Sequence, residues 1–219
     1  MKPLPYRHII WDWNGTLLDD LDYCVEVMNG VLQRHGRPLM DRARYHEVFG
    51  FPVRDYYARL GFDLSGDGFE RLSVEFIAGY EERRWDCRLQ PDARRILAAA
   101  RAAGLTQSIL SAYPHETLVE LVDHFGLTEY FAQLSGLDNI FAHSKAELGR
   151  AQLAILGLPA REIVLVGDTL HDLEVAQELG VDCALVAAGH HPAVRLRARH
   201  DRVLNHLGEL TAVLGLTDN

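Results

Sequence analysis

Short apolar runs alternate with amphipathic stretches over most of the chain. Residues 8–11 and 163–166 are apolar runs of strand length, the first meeting Asp12 and the second meeting Gly167-Asp168. Continuous runs of this kind read as parallel strands buried on both faces. The stretches 105–110 and 181–187 repeat the signal, while 92–103, 116–125, 145–156 and 172–179 have helical spacing. Asp92 stands where an N-cap belongs, and Gly104, Gly126, Gly157 and Gly180 each follow a last apolar turn, as helix-ending glycines do. The alternation predicts an α/β fold, a Rossmann-like doubly wound parallel sheet. Ligands of such sheets gather beyond the carboxyl ends of the strands, where Asp12, Ser111 and Asp168 would project.

Residues 20–88 break the alternation. The stretches 22–35, 42–49, 53–60 and 69–84 look helical, and Gly36, Pro38, Gly50, Pro52, Gly61 and Ser65-Gly66-Asp67-Gly68 punctuate them. The expected organisation is a core of residues 1–19 and 89–219 carrying an inserted helical cap of residues 20–88. Such a cap would open and close over the strand ends, with hinges near 18–20 and 88–91.

Three segments offer chemistry at those strand ends. Trp11-Asp12-Trp13-Asn14-Gly15-Thr16 sets a carboxylate at a strand end, followed by a glycine that lets the backbone turn close to a ligand. Standing alone, Asp followed by Asn-Gly is more often a capped turn. Gly167-Asp168-Thr169-Leu170-His171-Asp172 places two carboxylates four residues apart, one turn of helix, where they can share a cation or serve as a cap and a solvated side chain. Oxygen-only ligation suits Mg²⁺ better than zinc. Ser111-Ala112 ends a strand-like run, and Lys145 opens a helical one.

Composition sharpens Lys145. Twenty of the 22 basic residues are arginine, leaving only Lys2 and Lys145, so a lysine in mid-chain is an exception. Against 31 acidic residues the net charge is −9, which argues against nucleic acid or an anionic membrane as the main partner. An anionic substrate must then be met by local cations. Cys24, Cys87 and Cys183 lack the number and spacing of a disulfide framework or a cysteine zinc site. No apolar run approaches membrane-spanning length and the first eight residues do not resemble a signal peptide, so a cytoplasmic protein is expected.

Taken in order, Asp12-x-Asn14-Gly15-Thr16, Ser111, Lys145 and Gly167-Asp168-x-x-x-Asp172, with a helical insert after the first, resemble the four motifs of the haloacid dehalogenase-like superfamily. The resemblance covers nearly the whole chain, and the Gly-Asp-Thr start of the fourth motif is similar to that of phosphoglycolate phosphatase-like members with a helical cap. It implies a Mg²⁺-dependent phosphatase acting on a small phosphorylated metabolite through an aspartyl-phosphate at Asp12. The metal would be held by Asp12, the main-chain carbonyl of Asn14 and Asp168, with Asp172 behind. Lys145, Ser111 and Ala112, with the backbone of Gly15 and Thr16, would hold phosphate, and Arg54 in the insert would meet the organic part.

Asn14 departs from the pattern, because phosphatases of the superfamily usually carry Asp there to protonate the leaving oxygen and then activate water. Asparagine transfers no proton, and such catalysis is typically worth about 10² to 10⁴-fold. Asp19, Asp20 or a cap residue are the candidate substitutes. Two alternatives share these residues: a phosphonoacetaldehyde hydrolase-like enzyme, although its Schiff-base lysine has no counterpart in 20–88, and a phosphate- or metabolite-binding protein that has lost turnover. Metal-independent dehalogenation is disfavoured by Asp168 and Asp172. His190 and His191 follow the last strand-like run and can face the same cleft without binding metal.

Overall fold

A computed structural model describes residues 6–137 and 145–216, which leaves Lys2 outside the described residues. Six parallel strands form the main sheet in the order β5-β4-β1-β6-β7-β8. They are β1 (His8–Trp11), β4 (Thr106–Pro114), β5 (Gln133–Leu137), β6 (Ile163–Gly167), β7 (Asp182–Val186) and β8 (Val203–Leu204). The central strand β1 pairs Trp11 with Ile109 on one side and with Val166 on the other. From β1 the chain builds outward to β4 and β5, then returns to lay down β6, β7 and β8 on the opposite side. The crevice of this reversal opens between β1 and β6, where ligands collect.

Side-chain alternation along the strands separates two apolar layers. Ile9, Trp11, Ile109, Val164 and Val166 face helices α5 (Ala93–Ala102), α6 (His115–His124) and α10 (Leu210–Leu214). Ile10, Leu110, Leu165 and Leu185 face α7 (Lys145–Leu156), α8 (Leu170–Leu179) and α9 (Ala193–Arg197). Both faces of the sheet are therefore covered, which is why the central strands read as unbroken apolar runs.

Four α-helices stand between β2 (Leu18–Asp19) and β3 (Arg88–Leu89): α1 (Leu21–Arg34), α2 (Arg42–Val48), α3 (Val53–Arg59) and α4 (Gly68–Arg83). They surround an apolar cluster of their own that includes Met28, Leu32, Tyr45, Tyr56 and Leu72. A two-stranded antiparallel ribbon joins this unit to the sheet, pairing Leu18 of β2 with Leu89 of β3.

Helix ends follow the glycine signals more closely than the Asp92 signal. Gly104, Gly126, Gly157 and Gly180 all have positive φ, the conformation that ends a helix at lowest cost in glycine. Asp92 occupies the N-cap position of α5 but makes no capping hydrogen bond and itself has φ 67°. Its carboxylate binds Arg95 instead. At α8 the cap is Thr169, whose hydroxyl accepts from the Asp172 N–H while the Asp172 carboxylate accepts from the Thr169 N–H, a reciprocal capping box.

Candidate active site

The residue after β1, the bulged end of β4 and the residue after β6 bring Asp12, Ser111 and Asp168 together. The shift in β4 register between Leu110 and Pro114 turns Ser111 out of the ladder. Lys145 enters from the first position of α7, buried, and donates to Asp12 Oδ1 at 2.5 Å and to Asp172 Oδ1 at 2.5 Å. The capping box fixes the other Asp172 oxygen, which accepts the Thr169 hydroxyl at 2.7 Å. Thr16 completes the group by donating to Asp168 Oδ1 at 2.9 Å and Asp12 Oδ2 at 3.2 Å.

Two glycines let this packing happen. Gly15 has φ 74°, and a Cβ there would collide with the Asp168 carboxylate and the His190 ring. Gly189, with no signal in the sequence reading, approaches the same carboxylate so closely that a side chain is excluded. Its neighbour His190 donates its backbone N–H to Asp168 Oδ2 at 2.6 Å.

Asp12, Asp168 and Asp172 each present an oxygen within 4.8 Å of the others. Burial pushes Asp12 up to about 6 despite Lys145, and pushes Asp168 up to about 8, with Asp12 and Asp172 adding to the rise. Burial also opposes ionisation of Asp172, but the Lys145 ammonium and the Lys145 and Thr169 hydrogen bonds outweigh it and hold that carboxyl at about 2. Lys145 meets Asp12 and Asp172, while Asp168 is met by the His190 backbone N–H, and an all-oxygen carboxylate set of this kind suits a hard divalent cation such as Mg²⁺.

A second buried network abuts the first. Asp20 is held by the Gly15 N–H at 2.8 Å, the Asn14 amide at 2.8 Å and the Tyr80 hydroxyl at 2.8 Å. His190 Nε2 stands 3.3 Å from Asp20, and its Nδ1 is 2.9 Å from the Tyr45 hydroxyl. Burial opposes the His190 charge, yet Asp20 outweighs it and lifts the imidazole to about 9, while His190, Asn14 and Tyr80 hold Asp20 below its ordinary value against its own burial. Asn14 therefore carries its amide as a donor to a carboxylate. Asp19, the other candidate substitute acid, points outward and is exposed.

These networks border a cavity of about 630 Å³ between the four-helix insert and the strand ends. Asp12, Asn14, Ser111 and Lys145 line it, as do Ala112, Asp168 and Asp172. Gly15 and Thr16 sit just behind them. Arg54 is apart, donating to the Leu64 carbonyl at 2.7 Å with its guanidinium over the Phe69 ring. Asp20, Tyr80, Tyr45 and His190 were beyond sequence reasoning as a group, since their encounter depends on docking the insert against the sheet. The sequence offered two separate hints, the adjacent Asp19-Asp20 pair and the position of His190 after a strand-like run, but nothing that joined them.

The charge imbalance has a consequence for stability. The folded state retains protons on Asp12 and Asp168 that an unfolded carboxyl releases near 3.8, so their effect on stability turns unfavourable as pH rises from there through about 6 and 8. His190 stabilises fully below its ordinary 6.5 and loses that contribution as pH rises through about 9. Asp172 acts in the opposite sense, stabilising above 3.8 and losing its effect as pH falls toward 2. Metal-free protein is therefore expected to melt at lower temperature at pH 9 than at pH 5.5, with Mg²⁺ raising the transition most at the higher pH. Each 1 kcal/mol should move it by about 2–4 °C at this size. Thermal melts with chelator and with Mg²⁺ check this, and a metal-free transition that rises between pH 5.5 and 9 would contradict it.

The sequence profile described as haloacid dehalogenase-like hydrolase matches residues 9–186. A tyrosine-protein kinase, PtkA, from Mycobacterium tuberculosis is 27% identical over 214 residues, covering 95% of this chain and 72% of the relative. A 5'-nucleotidase from Pseudomonas aeruginosa is 30% identical over 203 residues, covering 89% of each chain. Among solved structures, a haloacid dehalogenase-like family hydrolase from Streptococcus pneumoniae has the same fold, with a TM-score of 0.81 at 19% identity over 95% of this chain and 98% of that one.

Proposed function

Because the chain belongs to the haloacid dehalogenase-like hydrolases, we propose that it is a phosphatase of small phosphate monoesters with Asp12 as nucleophile and Mg²⁺ as cofactor. The observation that carries this reading is a strand-end carboxylate, Asp12, held by a buried ammonium at 2.5 Å and open to a cavity. In the first step a carboxylate oxygen of Asp12 attacks phosphorus, the ester P–O bond breaks and the organic group leaves with the bonding electrons. In the second, water attacks the same phosphorus, its proton is lost, and the acyl-phosphate bond breaks to release phosphate and free Asp12. Dividing the hydrolysis in this way replaces one difficult displacement by two easier ones.

Bound Mg²⁺, held by Asp12 and Asp168 with the Asn14 carbonyl, would neutralise the phosphate oxygens and so admit a dianion to an acidic site. The chain's own groups do the rest. Lys145 fixes the rotamer of Asp12 and places positive charge where it builds up on the transferring phosphoryl group. Thr16 aligns Asp12 with Asp168. Ser111 presents its hydroxyl to a phosphate oxygen. The insert reads as a cap of residues 20–88 that moves about the β2–β3 ribbon to admit substrate and exclude water.

The names of the two sequence relatives both describe phosphoryl transfer and differ in the acceptor, water in one and a tyrosine hydroxyl in the other. Release of inorganic phosphate from p-nitrophenyl phosphate, with and without Mg²⁺, tests the hydrolytic reading. Chelator is expected to lower the rate by about hundredfold or more, the scale of several kcal/mol of charge stabilisation by a metal. Asp12→Asn, which cannot form the phospho-enzyme, should give none. Undiminished turnover in chelator would remove the metal, and undiminished turnover in Asp12→Asn would remove the nucleophile.

A further inference from the structure

The cavity in front of Asp12 is unlike a pocket for a charged or hydroxylated metabolite. Among the described residues that line it, Lys145 is the only lysine or arginine, and it is engaged by Asp12 and Asp172. The rest of the lining is mostly rings and aliphatic groups, including Phe51, Tyr56, Phe69, Phe76 and Ile77, with Ser73, His171 and Glu174 among the polar exceptions.

Three tyrosines of the wall have their hydroxyls taken by protein groups. Tyr56 is bonded toward Met40 Sδ at 3.9 Å, Tyr80 to Asp20 and Tyr113 to Glu81. These hydroxyls already have protein partners and are not free donors for an incoming group. Phe51 is stacked on His171, centroids 4.6 Å apart. Among the described residues, such a surface offers an incoming group burial and ring stacking, while Lys145 and the His190 ring are each already engaged by carboxylates and leave no free cation for a second anionic group.

Asn14 points independently in the same direction. Its side chain supplies no proton, and its amide is already given to Asp20 and Tyr80. A leaving group that departs as an aliphatic alkoxide needs a proton in the transition state. A phenol ionises near pH 10, as tyrosine does, whereas an aliphatic alcohol lies close to water at about 15.7. An aryl ester therefore suffers least from the missing acid.

Resting on the phosphatase reading, we propose that the substrate is the phosphate monoester of a phenol whose organic part is neutral and aromatic, seated on the rings of the insert. Attack by Asp12 then expels a phenoxide, which takes its proton from solvent after departure, and water completes the cycle as above.

Steady-state kinetics with 2-naphthyl, phenyl and benzyl phosphates, set against phosphoglycolate and glucose 6-phosphate, separate the two arguments. The cavity acts on KM: all three aromatic esters should show KM at least about tenfold below the polar ones, the scale of burying a ring. The leaving group acts on kcat: the two phenol esters should exceed benzyl phosphate by about hundredfold or more, within the range general acid catalysis spans. Ile77→Arg, which adds a cation to the wall, should raise KM for 2-naphthyl phosphate at least about tenfold and lower KM for phosphoglycolate.

A further arm needs no turnover. Calorimetry with Mg²⁺ present should show benzylphosphonate binding at least about tenfold tighter than phosphonoacetate, which bears a carboxylate in place of the ring. Higher kcat/KM for phosphoglycolate or glucose 6-phosphate than for the phenol esters would overturn the aromatic assignment and leave the phosphatase reading intact. No turnover of any ester, with benzylphosphonate still preferred, would overturn the phosphatase reading and leave the cavity's selectivity standing. Tighter binding of phosphonoacetate overturns the aromatic assignment whether or not any ester turns over.

Discussion

Lys145→Ala is expected to lower phosphate release by about hundredfold to thousandfold and, in metal-free buffer at neutral pH, to destabilise the fold by about 3–5 kcal/mol. The two losses share one cause. Lys145 is buried and bridges Asp12 and Asp172 at 2.5 Å each. Its removal leaves Asp12, Asp168 and Asp172 clustered among buried groups with no ammonium between them. An uncompensated buried charge costs more than the ion pair contributed, so truncating one partner is worse than the net worth of the pair. The carboxyls can relieve the strain by taking up protons, which makes the defect larger at pH 8 than at pH 5. Urea denaturation at the two pH values, in chelator and in Mg²⁺, measures it, and Mg²⁺ should recover more stability than activity. The metal can neutralise the cluster, but the Asp12 rotamer that Lys145 fixes is not restored by charge alone. Wild-type rates in Lys145→Ala would remove the residue from the reaction.

The legible parts of this protein were those in which the side-chain pattern and the fold demand the same thing. β1 and β6 are buried on both faces, so they had to be written as apolar runs, and each ends at the carboxylate it positions. Asp12, Ser111, Lys145, Asp168 and Asp172 were found because four separate strand or helix ends carried suitable chemistry in a consistent order. β5, Gln133–Leu137, carries a mixed sequence, QLSGL, on a half-buried edge, where neither alternation nor β-branched residues mark a strand. β8 and the β2–β3 ribbon are two residues long in each strand, too short for any periodicity. Asp92 illustrates the limit of local rules: its identity suits a cap, but the backbone enters α5 at positive φ and the carboxylate turns to Arg95. The network around Asp20 was illegible for a different reason. Tyr45 and Tyr80 belong to the insert and His190 to the loop after β7, and only tertiary docking brings them together around Asp20.

That network sets the terms for changing Asn14. Asn14→Asp is expected to raise turnover of alkyl esters such as benzyl phosphate by about tenfold or more, within the range that general acid–base catalysis supplies, and to raise phenol esters far less. The substitution preserves size but places a second carboxyl 2.8 Å from Asp20 Oδ2, where an amide now donates. Two carboxyls at that distance cannot both ionise, so one retains a proton well above the ordinary carboxylate range. A retained proton is what a leaving alkoxide requires, provided that it resides on the residue facing the cavity. Both Asn14 and Asp20 line that cavity. The double substitution Asn14→Asp with Asp20→Asn separates the possibilities, because it restores an amide–carboxylate pair with the roles exchanged and removes the shared proton. If the proton of the pair is the active element, the single variant should outperform the double on benzyl phosphate, with the advantage fading as pH rises and the shared proton is lost. If a carboxylate at position 14 is sufficient, through activation of water in the second step, the double variant should match the single and both should improve the phenol esters as well. Equal or lower benzyl phosphate turnover in both variants, with the fold and Mg²⁺ response intact, would mean that the proton transfers already proceed through another group and that Asn14 serves to hold Asp20 in place.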